Sequence, residues 1–183
     1  YDLKFKIFLA IFAMIFFTSC SSDKENSSNE NTDNASLSQS ENTDFTLKFL
    51  DGRKMYVKYH EQEFNFDDTA KAKLFVFFTS WCEPCKAEIP HLNNLNKKYQ
   101  DRFEVIALFL EEDKKQELLE FIQKEKMNFS SVLGENSFIF AKVLNISSIP
   151  TMVLFNAKGE KVKEYLGLIP EEMLDIDIQK AIM

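Results

Sequence analysis

Two cysteines spaced by two residues, Cys82-Glu83-Pro84-Cys85, follow the apolar run Leu74-Phe75-Val76-Phe77-Phe78 and lead into a segment of helical composition. A strand buried on both faces shows no polar alternation, so residues 73–78 read as an interior strand. The dithiol is thereby placed at the N-terminus of a helix that runs to about Tyr99. There the unpaired N–H groups and the macrodipole favour a thiolate, and the two-residue spacer lets the second sulfur close a disulfide. Cys82 precedes the helix and is expected to be the more exposed sulfur, the nucleophile that forms a mixed disulfide. Cys85, in the first turn, is expected to be more buried and to resolve that intermediate.

Other uses of this spacing fit less well. A zinc site needs further ligands, and the chain has only His60 and His91 and no second cysteine pair. Haem attachment needs a His after the second Cys, where Lys86 stands. The expected reagent is the Cys82–Cys85 pair itself, with no metal and no separate cofactor. Trp81 before the pair, Pro90 five residues after it and Ile149-Pro150-Thr151 far downstream complete a recognisable set. On these residues, 45–183 resembles the TlpA/ResA-like membrane-anchored thioredoxins, a family of protein thiol–disulfide oxidoreductases.

The resemblance implies an α/β thioredoxin fold: a central mixed sheet flanked by helices, with an N-terminal β-hairpin and a βα insertion. It implies that Pro150 is a cis-proline exposing the Ile149 backbone to an extended substrate; the alternative is a trans Pro starting a strand. It also implies that Glu88, on the helix face of Cys85, assists proton transfer. The buried Asp usual in thioredoxins, six residues before the first Cys, is here Val76, so Glu88 or water is left to take the Cys85 proton. The alternative for Glu88 is a solvated helix residue. Trp81 is expected to shelter the dithiol and touch substrate, Pro90 to kink the helix, and His91 to sit on the helix surface. By the same resemblance, electrons come from a membrane donor of the DsbD/CcdA type. The substrate would be the CxxCH of apocytochrome c or a copper-site cysteine pair.

Glu83 and Pro84 tune the pair. Proline stiffens the turn, and a carboxylate beside Cys82 disfavours its thiolate, which makes the couple less oxidising and points to a reductant. Lys86 opposes this in part, and the alternative for both charges is a plain surface role.

The N-terminus addresses where the chain works. Lys4 and Lys6 precede the apolar stretch 7–17, and then come Thr18-Ser19-Cys20, which together describe a signal peptide over 1–19. The stretch is short for a membrane span. Small residues before Cys20 resemble the lipobox of bacterial lipoproteins, with Phe17 in place of the usual aliphatic; Cys20 would then carry the lipid. An uncleaved anchor, or an ordinary signal with an incidental Cys, is the alternative. The first residue is Tyr1 rather than Met, so an incomplete n-region is expected. Residues 21–44 are Ser, Asn, Asp, Glu, Thr and Gln almost throughout, which cannot bury enough apolar surface to fold. With Cys20 they make a tether, 20–44, reaching on the order of 27 Å.

The folded domain is expected over 45–183. Alternation around Asp51-Gly52 predicts a hairpin from 45–50 and 55–59, and 60–72 reads as a connection, with or without one helical turn. A buried strand follows at 103–110, then a helix capped by Asp113 with Leu118, Leu119 and Ile122 inward. A short strand at 129–133 and a helix at 137–144 come next, with Phe138, Ala141 and Leu144 inward. Strands 151–155 and 161–165 form a hairpin through Asn156-Ala157-Lys158-Gly159, and Pro170 opens a last helix, 171–182.

The net charge of −7 argues against nucleic acid as a partner. The reading is therefore a monomeric, lipid-anchored disulfide reductase of the bacterial cell envelope, facing the periplasm. Competing readings are a thiol oxidant, a peroxide-reducing enzyme, and a lipoprotein that uses the fold as a binding module or chaperone. A peroxidase would want a Pro where Phe75 stands, and an oxidant a His in the spacer.

Overall fold

In the computed structural model, residues 42–111 and 114–183 are described, and all belong to one compact unit. The expected signal peptide, Cys20, nearly all of the tether and Asp113 lie outside these residues. Strands β1 (Thr43–Lys48), β2 (Lys54–His60) and β3 (Glu63–Phe66) form an antiparallel three-stranded sheet. A second, mixed sheet has the order β6-β5-β4-β7-β8, from β4 (Ala72–Phe78), β5 (Phe103–Phe109), β6 (Ser130–Val132), β7 (Thr151–Phe155) and β8 (Lys161–Leu166). Pairing is parallel on the β4–β5–β6 side and antiparallel from β4 to β7 to β8. The helices are α1 (Glu83–Lys98), α2 (Lys115–Lys124), α3 (Glu135–Val143) and α4 (Glu171–Ala181).

Strand β4 lacks polar alternation because it separates two cores. Leu74, Val76 and Phe78 face α1, α2 and α4, where Ile89, Leu92, Leu118, Leu174 and Ile178 meet them. Phe75 and Phe77 face the three-stranded sheet and α3, in an aromatic cluster around Phe140. The dithiol helix thus lies against one face of the sheet, with its N-terminus at the C-terminal end of β4.

Three expectations need correction. Residues 60–72 are not merely a connection: Glu61 and Gln62, at φ 52° and 71°, turn the chain so that β3 pairs with β2. Its alternation buries Phe64 and Phe66 against Phe155. A two-residue turn with both φ positive normally advertises itself with Asn-Gly, and Glu-Gln conceals it. On α2, Leu118 is buried with Phe121 and Ile122 packed beside it, while Leu119 is exposed. On α3 the inward face is Ser137, Phe140, Ala141 and Leu144, and Phe138 is 47% exposed. A serine on the inner stripe, within reach of the Val132 carbonyl, shifts that face by one residue from what apolar residues alone suggest.

Strand β1 begins at Thr43, so Asp44 is already part of the sheet and accepts from the Tyr56 hydroxyl at 2.9 Å. Between β7 and β8, Gly159 has φ +87°, and a Cβ there would collide with the Phe64 carbonyl oxygen. Only glycine lets this turn approach β3 so closely.

Candidate active site

The site begins where β4 ends. Thr79 accepts the Cys82 N–H through its carbonyl at 3.3 Å, and Ser80 is fixed by Glu111, whose carboxylate accepts the Ser80 N–H at 3.0 Å and its hydroxyl at 2.8 Å. Cys82 is the N-cap of α1: its Sγ accepts the Cys85 N–H at 3.3 Å and its carbonyl accepts that of Lys86 at 3.1 Å. One orphan donor of the first turn is thereby aimed at the outer sulfur, the arrangement that stabilises negative charge on it. The two sulfurs are bonded, with Cα atoms 5.2 Å apart. Cys82 is 6% exposed and Cys85 1%, so Cys82 is the outer sulfur.

Trp81 stands 69% exposed immediately before the pair, beside a cavity of about 280 Å³ lined by Ser80, Glu111, Lys114, Glu117 and Leu118. Pro84 lies in the first turn, where its missing N–H costs nothing. Glu83 projects into solvent and its carboxylate accepts from Lys86 Nζ at 2.6 Å, which holds it below the usual carboxylate range. The charge at Glu83 is thus largely offset within its own turn. Pro90 lies inside α1, leaving the Lys86 carbonyl without its usual helical donor, and the helix runs on to Lys98.

The Ile149–Pro150 bond is cis. Ile149 packs on the core cluster that contains both cysteines, and Pro150 is buried. The Thr151 hydroxyl donates to the Ser148 carbonyl at 2.7 Å and pins the loop from inside. The Pro150 carbonyl accepts the Gly167 N–H at 2.9 Å, and two residues later the Ile169 N–H donates to Glu88 Oε2 at 3.3 Å. A chain of hydrogen bonds therefore links the cis-proline loop, the 167–169 loop and α1.

Glu88 is buried, on the same face of α1 as Cys85. Among the described residues its Oε1 has no hydrogen-bond partner, and burial pushes its carboxyl up, with the Ile169 N–H and His91 acting in the opposite direction. Val76, where a thioredoxin would carry Asp, is buried among apolar side chains. His91 is half-buried, with its Nδ1 turned inward, also unpartnered, 4.0 Å from Glu88 Oε1. The Ile169 amide, the Ser80–Glu111 contact and the buried, unpartnered Thr79 hydroxyl could not be found from sequence. Each depends on segments brought together only by the fold. Among the described residues no three His, Cys, Asp or Glu side chains gather as a metal-binding group, and no helix is long and apolar enough to cross a membrane.

A strand leading to a dithiol at a helix N-terminus, with a cis-proline at the start of the neighbouring strand β7, suits thiol–disulfide exchange, and comparison with known proteins agrees. A family model described as thioredoxin-like matches residues 70–161, half of the chain. A thiol-disulfide oxidoreductase ResA of Bacillus cereus is 26% identical over 137 residues, covering 74% of this chain and 73% of its own. The sporulation thiol-disulfide oxidoreductase A of Bacillus subtilis (strain 168) is 29% identical over 133 residues, covering 71% of this chain and 74% of its own. The crystal structure of StoA from Bacillus subtilis superposes with a TM-score of 0.60 at 26% identity, covering 76% of this chain and 98% of that one. The chain belongs to the thioredoxin-like family, as a thiol–disulfide oxidoreductase of the ResA-like kind with its CxxC disulfide at Cys82 and Cys85.

Proposed function

We propose that the protein is a disulfide reductase of the bacterial cell envelope, tethered by a lipid on Cys20 and facing the periplasm. The observation that carries the reductase reading is the burial of Glu88 on the Cys85 face of α1. A buried carboxyl there does not favour a thiolate on Cys85, whereas Lys86 offsets the charge of Glu83; a couple with less stabilised thiolates is less oxidising. The anchor rests on the sequence around Cys20.

In the proposed cycle the Cys82 thiolate attacks a substrate disulfide, forming a Cys82–substrate bond and expelling one substrate sulfur as a thiolate. Cys85 then attacks Cys82 Sγ, its proton passing to the Glu88 carboxylate, and the second substrate sulfur leaves as a thiolate; both take their protons from water. Two electrons pass from the dithiol to the substrate, and the enzyme is left as the Cys82–Cys85 disulfide. Trp81 and the Ile149–Pro150 loop hold the substrate backbone alongside the outer sulfur. Re-reduction falls to a membrane dithiol donor of the DsbD/CcdA type. The proposed substrates are exported cysteine pairs awaiting haem or copper, of which apocytochrome c is one, and the proposed working form is a monomer.

The test is the reduction potential of the pair, measured against a thiol buffer in Cys20→Ser protein so that only Cys82 and Cys85 titrate. A value near thioredoxin's, about −270 mV, or lower supports the reductase. A value near about −120 mV would make the protein an oxidant of exported thiols. Absence of any reversible couple would leave a binding module.

A further inference from the structure

The Glu88 carboxylate has no route to solvent of its own: the residue is buried, one oxygen is committed to the Ile169 N–H, and the other is unpartnered. A proton delivered from Cys85 in each turnover must nevertheless leave before the next. The unpartnered oxygen, Oε1, lies 4.0 Å from the one nearby ring nitrogen that is also buried and unpartnered, His91 Nδ1. A shift of about 1 Å brings the two within hydrogen-bond distance. The His91 side chain is 44% exposed, so the ring spans from the carboxylate to water. An imidazole can accept a proton on one nitrogen and release one from the other.

We infer that His91 is a positioning residue for the dithiol chemistry, relaying the Glu88 proton to solvent after Cys85 resolves the mixed disulfide. The inference rests on the proton-acceptor role proposed for Glu88. The balance is simple: Cys85 Sγ–H loses its proton to Glu88, Glu88 passes it to His91 Nδ1, and the other ring nitrogen gives one to water. No electron moves in these steps. Reversal of the same path returns a proton to Cys85 when the disulfide is re-reduced.

The surroundings leave few other charges to act. The cis-proline loop, 146–150, and the loop 167–170 contain no titratable side chain. On α1, Lys86 is engaged with Glu83. Helix α4 brings Glu171, whose carboxylate accepts from Asn94 at 3.0 Å, one turn beyond His91.

The test compares the wild type with His91→Gln, Glu88→Gln, the double variant and Glu171→Gln, all with Cys20→Ser. Each reduced protein is mixed with a disulfide-bonded peptide, and single-turnover release of the peptide's thiols is followed across the neutral pH range. The expected result is that His91→Gln slows release about tenfold at neutral pH. Added imidazole restores that variant but not Glu88→Gln, the double variant is no slower than Glu88→Gln, and Glu171→Gln matches the wild type. If His91→Gln keeps the wild-type pH profile while Glu88→Gln is slow, the relay is overturned and the Glu88 role stands. If Glu88→Gln is also fast, both fall. Losses that add in the double variant, a loss that imidazole does not restore, or an equal loss in Glu171→Gln would each overturn the relay. His91 is half-exposed, so its variant retains the fold, which thermal melting verifies.

Discussion

The Ile169 amide donates to Glu88 Oε2 across 3.3 Å, and Gly167, two residues earlier, donates to the Pro150 carbonyl. The loop before α4 therefore holds both the Glu88 carboxylate, on the Cys85 face of α1, and the cis-proline loop. With one oxygen held by a single N–H and the other unpartnered, Glu88 costs less as a buried neutral acid than as a buried anion.

Glu88→Gln should therefore stabilise the protein at neutral pH. Burial raises the Glu88 carboxyl in the folded state, so folding favours the protonated form. The stability this group contributes is complete below the unfolded carboxyl value and is lost as pH rises through the folded one. Thermal melts should show the Gln variant ahead at about pH 8, with the gap closing towards about pH 4. A Gln variant no more stable than wild type at the higher pH would contradict this.

Cys85→Ser should trap substrate, whereas Cys82→Ser should not. The outer sulfur is Cys82 and the inner is Cys85, so only removal of the inner leaves a mixed disulfide unresolved. Non-reducing electrophoresis or intact-mass measurement after mixing with a disulfide-bonded peptide reads the adduct. An adduct formed by Cys82→Ser and absent from Cys85→Ser would reverse the two roles.

Asp177 closes the sheet edge onto α4. Its carboxylate accepts from Lys163 Nζ at 2.7 Å, Lys180 Nζ at 3.0 Å and the Tyr165 hydroxyl at 2.9 Å. The Lys163 and Lys180 hydrogen bonds lead in lowering it to about 2. A lowered carboxyl stabilises the fold above its unfolded value and loses that contribution as pH falls towards the folded one. Asp177→Asn should cost about 1–2 kcal/mol at neutral pH, the exposed lysines being screened, and nearly nothing near pH 2. Urea unfolding at the two pH values measures the difference.

Phe140 is the hub of the second core, with its ring 4.8 Å from that of Phe75, 5.4 Å from Phe45 and 5.7 Å from Phe64. Phe140→Ala should destabilise the protein by about 3–5 kcal/mol, because rings from both sheets border the hole and cannot all collapse into it. Phe138→Ala, at the neighbouring exposed position, should change stability by less than about 0.5 kcal/mol. Denaturant titration of the pair tests whether α3 faces the way its Ser137-Phe140-Ala141 stripe indicates.

By itself the sequence determined what depends on neighbours in the chain. The strand-to-dithiol-to-helix unit is legible because an unbroken apolar run, a CxxC and a helical segment are contiguous, and the element order follows from local periodicity. Tertiary structure decided whatever joins distant segments. Hairpin β2–β3 was hidden because Glu61 and Gln62 take up a turn geometry that their side chains do not announce, and only the burial of Phe64 and Phe66 offsets it. The inward face of α3 depended on Ser137, which is buried near a carbonyl rather than by hydrophobicity. Whether Glu88 was a solvated helix residue or a buried acid could not be read from its spacing to Cys85. That depended on a loop about eighty residues away, which covers the carboxylate and supplies a single N–H, so that burial outweighs the hydrogen bond.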